Sequence, residues 1–465
     1  MQALAAAGII GPAARPTGAA TEAAEVANVT GLYTVQVGRI EVPAATADVA
    51  RALKAWPGRV AVGGGRFSMG GQVAVEGGLH LDMRGMNRLV WFRPSERTVR
   101  VQAGMRWREL QALLQPVGLA VKTMQSYANF TVGGSVSVNA HGRYVGHGPV
   151  GNTVRALQLV LADGSVVEAS RTGNRELFRA AIGGYGAVGV ITEVELDVAD
   201  NVKIERQVEK VPLDRYPAYF KEQVLADPSA ILHNADLLPP HFNAPVAVTW
   251  RRAAPDAVLT DAALLEPHGG KHVAEAGMIW LVTEMPFGER LRSDVLHPLL
   301  TRGPAVKWLN REASLDVARL EPLTRSLSTY ALQEYFVPER HFAAFAAALA
   351  AVLRRHDVEA LNVSIRHSPA DRVALLPWAR EDVFCFVLYH KQRVWTLAQE
   401  AVGRWTRELI DAALKCEGRY YLPYQLHATP AQFDAAYPEA RELRRLKATM
   451  DPAGRWSNEL WRKYL

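Results

Sequence analysis

Three glycine-rich turns constrain this chain more than any other feature. Gly63, Gly64, Gly65, Gly70 and Gly71 surround Arg66, Phe67, Ser68 and Met69; Gly133 and Gly134 follow; Gly183, Gly184, Gly186 and Gly189 complete the set. Glycine tolerates positive φ and lets a backbone approach an anion closely, so consecutive N–H groups form a concave anion nest without a helix. One such cluster reads as an ordinary tight turn. Three in one region, with Arg66 and Ser68 inside the first, point to a cofactor bearing a diphosphate.

Better-known glycine motifs do not fit. Gly65 to Gly70 opens like a P-loop, but Gly71 and Gln72 stand where a phosphate-binding Lys and a magnesium-binding hydroxyl belong. Gly184, Gly186 and Gly189 satisfy G-x-G-x-x-G, a fingerprint that needs a strand before it and a helix after it. Here a helix-like segment, 175–182, precedes and a β-branched run, 190–196, follows. No nucleophile elbow is present, because Gly134, Ser135 and Val136 lack the flanking glycine pattern.

Composition narrows the class further. The 465 residues allow two or three domains, and 49% hydrophobic with 22% charged residues excludes a disordered chain. A net charge of +6 suits an anionic ligand and gives no reason to expect nucleic acid. Cys385 and Cys416 can form at most one disulfide and cannot furnish a thiolate zinc or iron–sulfur site, so no metal is expected. The charge-free stretch 123–142 carries Ser, Thr, Asn and Gly throughout and is unsuited to lipid. Residues 1–18 have no basic residue before Arg15, unlike the start of a secretory signal, and 1–30 read as a mobile tail. A cytoplasmic location is the expectation, with peripheral membrane contact left open.

The texture changes along the chain. Residues 31–201 are Gly-rich, with β-like runs at 59–62, 79–83, 98–103 and 188–198 and helices at 47–56 and 107–114. Residues 202–417 carry longer helices, 340–356 and 394–413, among strands at 331–337, 360–367 and 383–389. Residues 418–465 hold a Tyr/Pro turn cluster, a helix over 437–450 stopped by Asp451 and Pro452, and an aromatic end that closes back on an earlier domain. The fold class is α+β.

The order of the turns is itself a signature. Val62 through Ser68, then Val101, Gln102, Ala103 and Gly104, then Thr131 through Ser137 to His141 and Gly142, then Asp163 and Gly164, then Gly183 through Ile191 resemble the FAD-binding domain of the vanillyl-alcohol oxidase (p-cresol methylhydroxylase) superfamily over 32–198. Leu332 through Pro338, Ser364, Ile365 and Arg366, and Asp451, Pro452, Gly454, Arg455, Trp456 and Asn458 are similar to its aldonolactone and alditol oxidase branch and to decaprenylphosphoryl-ribose oxidase. The resemblance implies a two-subdomain FAD-binding domain rejoined by 418–465. It also implies a cap domain over 202–417, with a mainly antiparallel sheet and covering helices.

Carried over residue by residue, Gly63, Gly64, Gly65, Arg66, Phe67, Ser68, Met69 and Gly70 would cradle the FAD diphosphate. Gly133, Gly134 and Ser137 would contact the diphosphate or the flavin ring, with His141 and Gly142 in the flavin loop. Val190 and Ile191 would offer backbone groups to the adenine, and Gly186 and Asn458 complete the cofactor set. Phe67 stands where many members attach FAD through a His, and both cysteines lie far downstream, which implies non-covalent FAD. Ser364 stands where alditol oxidases carry a Glu, and Tyr424 takes the place of a C-terminal Lys, implying a substrate that is neither a simple alditol nor a simple lactone.

Strand period sorts the catalytic candidates. Asn362, Ser364 and Arg366 share one face, with Val363 and Ile365 opposite. Arg366 can balance the negative charge that a reduced flavin develops. Glu334, between Leu332 and Phe336, is either a desolvated base or a salt-bridged structural residue. Tyr424 is the other candidate base, while His427 and His141 are weaker, since a lone His is more often structural. Phe384 and Phe386 suggest a partly hydrophobic substrate. These readings describe an enzyme that oxidises a small-molecule alcohol at CH–OH by hydride transfer to flavin N5. Oxygen, a quinone or another carrier would be the acceptor. A flavin-dependent C=C reductase of the sterol Δ24-reductase kind and a non-catalytic flavoprotein are the alternatives.

Overall fold

A computed structural model describes residues 21–268, 277–279, 283, 288–320, 322 and 324–465. Of the tail expected over 1–30, residues 1–20 lie outside the described residues. The rest is not a tail: Thr21–Ala27 is a strand paired antiparallel with Thr34–Glu41, and Asn28 Oδ1 accepts from the Thr30 amide and hydroxyl to turn the chain between them.

Mixed helix and sheet confirm the α+β class. The first sheet runs, in spatial order, Thr21–Ala27, Thr34–Glu41, Leu79–Asp82 and Val60–Gly63, its last two pairings parallel. Helix Thr46–Ala55 follows Pro43 and buries Val49 and Leu53 against Val60, Leu79 and Leu81. A second, antiparallel sheet orders Leu89–Arg93, Thr98–Gln102, Val190–Asp200, Val154–Val160 and Val166–Ser170, with Leu119–Val121 on the far end of Val190–Asp200. Helix Trp107–Leu114 buries Trp107, Leu110 and Leu114 beside it. Helix Arg175–Ala181 precedes and strand Val190–Asp200 follows the G-x-G-x-x-G run, so the order is the reverse of a dinucleotide fold.

One glycine pair differs from expectation. Gly133 and Gly134 do not join two strands; they lie in the first turn of the short helix Val132–Ser137, entered from an extended Thr131. A Cβ on Gly133 would sit 2.5 Å from that of Ala103, so glycine is what lets this helix lie against the strand end.

The third sheet is antiparallel throughout, ordered Val306–Trp308, Lys203–Lys210, Val246–Arg252, Ala230–Leu237, Ala360–Ser368, Val383–Arg393, Ser328–Pro338 and Arg419–Tyr420. Helices Phe342–Arg355 and Thr396–Lys415 cover one face. Val363, Ile365, Phe384 and Phe386 point under them; Phe342 and Phe345 pack edge-to-face with Phe384 and Phe386 at 4.8 and 4.9 Å between ring centres. Phe384 and Phe386 are thus core residues, and they do not support a hydrophobic substrate.

The C-terminal segment returns to the first sheet. Val60 donates to the Arg455 carbonyl at 2.7 Å, Ser457 donates to the Val60 carbonyl at 3.0 Å, and the Arg455 guanidinium caps the Leu53 and Trp56 carbonyls. The helix expected over 437–450 begins at Ala440, after a separate helix Pro430–Ala436. Pro438 is the reason: the residue before a proline is pushed out of helical conformation, and Tyr437 is not helical. Among the described residues no helix is long and apolar enough to cross a membrane.

Trp456, 1% exposed, fills the small core formed by Val49, Leu53 and Val60. Trp456→Ala is expected to cost about 3–5 kcal/mol, measured by denaturant unfolding. A loss below about 1 kcal/mol would show that the returning segment is not part of that core.

Candidate active site

A cavity of about 590 Å³ lies between the glycine turns and the open face of the third sheet. Alternation along the strands decides which side chains reach it: Leu332 and Glu334 from one strand, Asn362, Ser364 and Arg366 from the next, Val387 and Tyr389 from the strand between them. Register lines up Asp236, Ser364, Val387 and Glu334 in one row across four strands. Three strand spacings set the backbones of Asp236 and Glu334 about 14 Å apart.

The glycine side is shaped for close approach. Gly64, Gly65, Arg66, Phe67, Ser68 and Met69 line the cavity, as do Gly133, Gly134 and Ser137. A Cβ on Gly64 would stand 2.1 Å from Thr131 Oγ1, so the loop and the start of helix Val132–Ser137 meet with no room for a side chain. Arg66 has φ +60° and reaches back to Asp82 and His80, each at 3.0 Å. His80 Nδ1 faces the Val73 carbonyl at 3.0 Å; it therefore donates there, and Nε2 accepts from Arg66.

Other members of the expected cofactor set stand behind the wall. Gly63 packs on His80, Gly70 on the Tyr424 carbonyl and Gly142 on the Met124 carbonyl. Val190 is in the core, whereas Gly186 and Ile191 line the cavity. Asn458 does not touch the cavity; its amide donates to the Tyr185 carbonyl at 2.8 Å and steadies the turn that carries Gly186.

Among the described residues, six buried polar atoms of the cavity lining have no hydrogen-bond partner: Arg66 Nε, Ser126 Oγ, Thr131 Oγ1, His141 Nδ1, Asn362 Oδ1 and Arg366 Nε. Buried polar groups are ordinarily paired. Orphans on both sides, with glycine backbone free for close approach, fit a ligand rich in phosphate and heteroaromatic acceptors, as FAD is.

The reactive end combines three segments. Glu334, 2% exposed, meets His141 Nε2 at 2.5 Å and accepts from the Tyr424 hydroxyl at 3.1 Å. The His141 ring is boxed by Trp378 at 4.9 Å and Phe336 at 5.8 Å. Trp378 is held by its indole N–H on the Asn139 carbonyl. Burial and the Glu334 charge push the Tyr424 phenol well above its ordinary pKa, so it stays a proton donor. His141, Glu334 and Cys385 bring three ligand-type atoms within 4.8 Å of one another, but burial, reinforced by the Glu334 charge, keeps the Cys385 thiol protonated.

At the other end of the row, Asp236 accepts from Asn362 at 2.7 Å and faces His297 Nε2 at 3.0 Å. His427 is not in this site. It lies under helix Thr396–Lys415 beside Gly403, with Nε2 on Gln425. Sequence reasoning did not pair His141 with Glu334, since 193 residues separate them. It also overlooked Asp236, Arg292, His297 and Tyr389, whose cavity positions follow only from strand register and the placement of one helical segment. Strand parity did carry a signal for Tyr389, which shares a face with Val387.

Residues 39–170 match the family model described as FAD binding domain. An alditol oxidase of Streptomyces sp. is 42% identical over 102 residues, 22% of this chain and 24% of the relative. L-gulonolactone oxidase of Mus musculus is 34% identical over 135 residues, 29% and 30% of the two chains. Decaprenylphosphoryl-beta-D-ribose oxidase of Mycolicibacterium smegmatis is 34% identical over 143 residues, 30% and 31% of the two. The alignments span about a quarter to a third of these relatives.

Two measurements test the cradle. Burial, aided by the neighbouring Arg66 charge, lowers the His80 pKa to about 4. The unfolded chain therefore binds a proton between pH 6.5 and 4 that the folded chain refuses. The His80 contribution is expected to be complete above pH 6.5 and to fall by up to about 3 kcal/mol on acidification to pH 4; chemical denaturation across that range should show a slope that His80→Gln reduces by that share, the rest coming from His233, His390 and His427, whose pKa values burial lowers as well. Gly64→Ala is expected to purify with much less flavin absorbance at about 450 nm per chain, and full occupancy would show that the approach to Thr131 does not matter.

Over residues 39–170 this chain is therefore similar to the FAD binding domain, and its ordered glycine turns resemble those of the vanillyl-alcohol oxidase/p-cresol methylhydroxylase superfamily.

Proposed function

We propose that this protein is an FAD-dependent oxidoreductase that oxidises a CH–OH group of a small molecule. The observation that supports it best is the Glu334–His141 pair, a carboxylate hydrogen-bonded to an imidazole at 2.5 Å on the wall of the cavity that would hold the cofactor. FAD, when bound, supplies the hydride acceptor.

The chain's own residues do the rest. Glu334 accepts the substrate's hydroxyl proton, and His141, donating Nε2–H to the carboxylate, holds it in place. Tyr424, held protonated, donates to Glu334 and fixes the second carboxylate oxygen. This assigns the base to Glu334 rather than to Tyr424, the two candidates in the sequence. Ser364, two strands over and in the same row, orients the reacting carbon's substituents, and Arg366 holds a fixed cation on that wall. Attachment is non-covalent in this reading: Phe67 packs on Phe130 at 4.4 Å between ring centres, and neither cysteine lines the cavity. Residues 31–201 form the two-subdomain FAD unit, 202–417 the cap and 418–465 the returning segment. Oxygen, a quinone or another carrier reoxidises the enzyme.

Purified protein is expected to be yellow, to release its colour on acid precipitation, and to bleach anaerobically when a panel of alditols, sugars, sugar acids and lactones is added. Glu334→Gln should keep the flavin and slow bleaching by about 10²–10⁴-fold, and Tyr424→Phe by about 10- to 100-fold. Yellow protein that no alcohol bleaches would overturn the reading, as would an E334Q variant at full rate.

A further inference from the structure

We infer that the substrate carries an anionic group, a carboxylate or a phosphate, bound by Arg292 at the end of the cavity away from Glu334. This deepens the oxidation reading and rests on it for the reacting end of the substrate.

Arg292 opens the helical turn Arg292–Leu296, and with Leu296 and His297 it lines the cavity. It is half-buried there and makes no hydrogen bond or ion pair with any described residue. Apart from Arg366, the other charged groups named on this wall already have partners. Arg66 is bound by Asp82 and Arg143 by Glu312, each at 3.0 Å. Glu334 is taken by His141 and Tyr424. Asp236 is near enough to Arg292 to attract it, but its two oxygens are occupied by Asn362 and His297. Although burial raises the Asp236 pKa, those hydrogen bonds, together with the His297 and Arg292 charges, bring it below the ordinary carboxylate value, so Asp236 stays charged while its oxygens face Asn362 and His297.

A guanidinium cannot shed its charge, and one held out of water without a partner is costly. The burial cost shows as a lowering of the Arg292 pKa that neither Asp236 nor Tyr389 offsets. Arg366 also has no partner among the described residues, but it stands two residues along the strand from Ser364 and its charge is felt at Tyr424, beside Glu334, where the flavin's developing charge would use it. Arg292 therefore presents its planar donors to the cavity for a planar or tetrahedral anion. Asn362 Oδ1, orphaned close by, is an acceptor for a hydroxyl of the same molecule. Hydroxyl at one end and anion at the other, across a row of about 14 Å, describe a multi-carbon hydroxy acid or a sugar phosphate.

The test uses FAD-loaded protein and three probes that share a carbon skeleton: D-glucitol, D-gluconate and D-glucitol 6-phosphate. Binding is read from the perturbation of the flavin spectrum, and turnover from anaerobic bleaching. One of the charged probes is expected to bind at least tenfold more tightly than D-glucitol, with an advantage that shrinks as salt rises. Which charged probe prevails separates carboxylate from phosphate. In Arg292→Gln the advantage should vanish, and in Arg292→Lys it should partly return, with FAD content measured in each variant as the check on folding. Equal binding of the three probes, or an advantage that survives in R292Q, would overturn the proposal. Tight, Arg292-dependent binding of a charged probe without bleaching by any donor would sink the oxidation reading while leaving the anion site standing.

Discussion

The buried hydrogen bond between Glu334 and His141 is the contact on which the site depends. It ties the strand Ser328–Pro338 of the large sheet to the segment that follows helix Val132–Ser137. A carboxylate 2% exposed cannot remain charged in an apolar surrounding without partners. His141 and Tyr424 meet that requirement from two other segments, so the same interaction that allows the charge to be buried also fixes where the segments meet. The aromatic box of Trp378, Phe336 and Tyr421 then fixes the imidazole, and Tyr421 is itself anchored through its hydroxyl on the Val138 carbonyl.

A second constraint divides labour across the large sheet. Odd and even positions of each strand face opposite ways, and helices Phe342–Arg355 and Thr396–Lys415 claim one set. Phe384, Phe386, Val363 and Ile365 provide cohesion; Val387, Tyr389, Asn362, Ser364 and Arg366 provide the cavity wall. Stability and chemistry are carried by neighbouring residues of one strand, which is why a polar wall can be held rigidly by an apolar face directly behind it.

Much of this was legible in the residues themselves. The glycine turns marked the cradle because the backbone freedom they need is local: Gly71 takes φ +81° and Gly186 φ +74°. The polar face Asn362, Ser364, Arg366 was legible because period-two alternation needs no tertiary information. The same rule places Phe384 and Phe386 in the core: they share parity with Leu388 on the covered face, and their aromatic character alone does not make a pocket. Gly133 and Gly134 looked like a turn because a helix of six residues leaves almost no periodic signal.

Sequence alone therefore determined the backbone that can receive a diphosphate and the side chains that share a face, since both follow from φ/ψ sterics and strand geometry over a few residues. Only the tertiary structure decided which faces confront one another. It joined Glu334 to His141, gave Asp236 to His297 and Asn362, left Arg292 on the cavity wall, and sent His427 beneath a helix. Such meetings are set by strand register and by the burial of charge among partners far apart in the chain, and no local pattern encodes them.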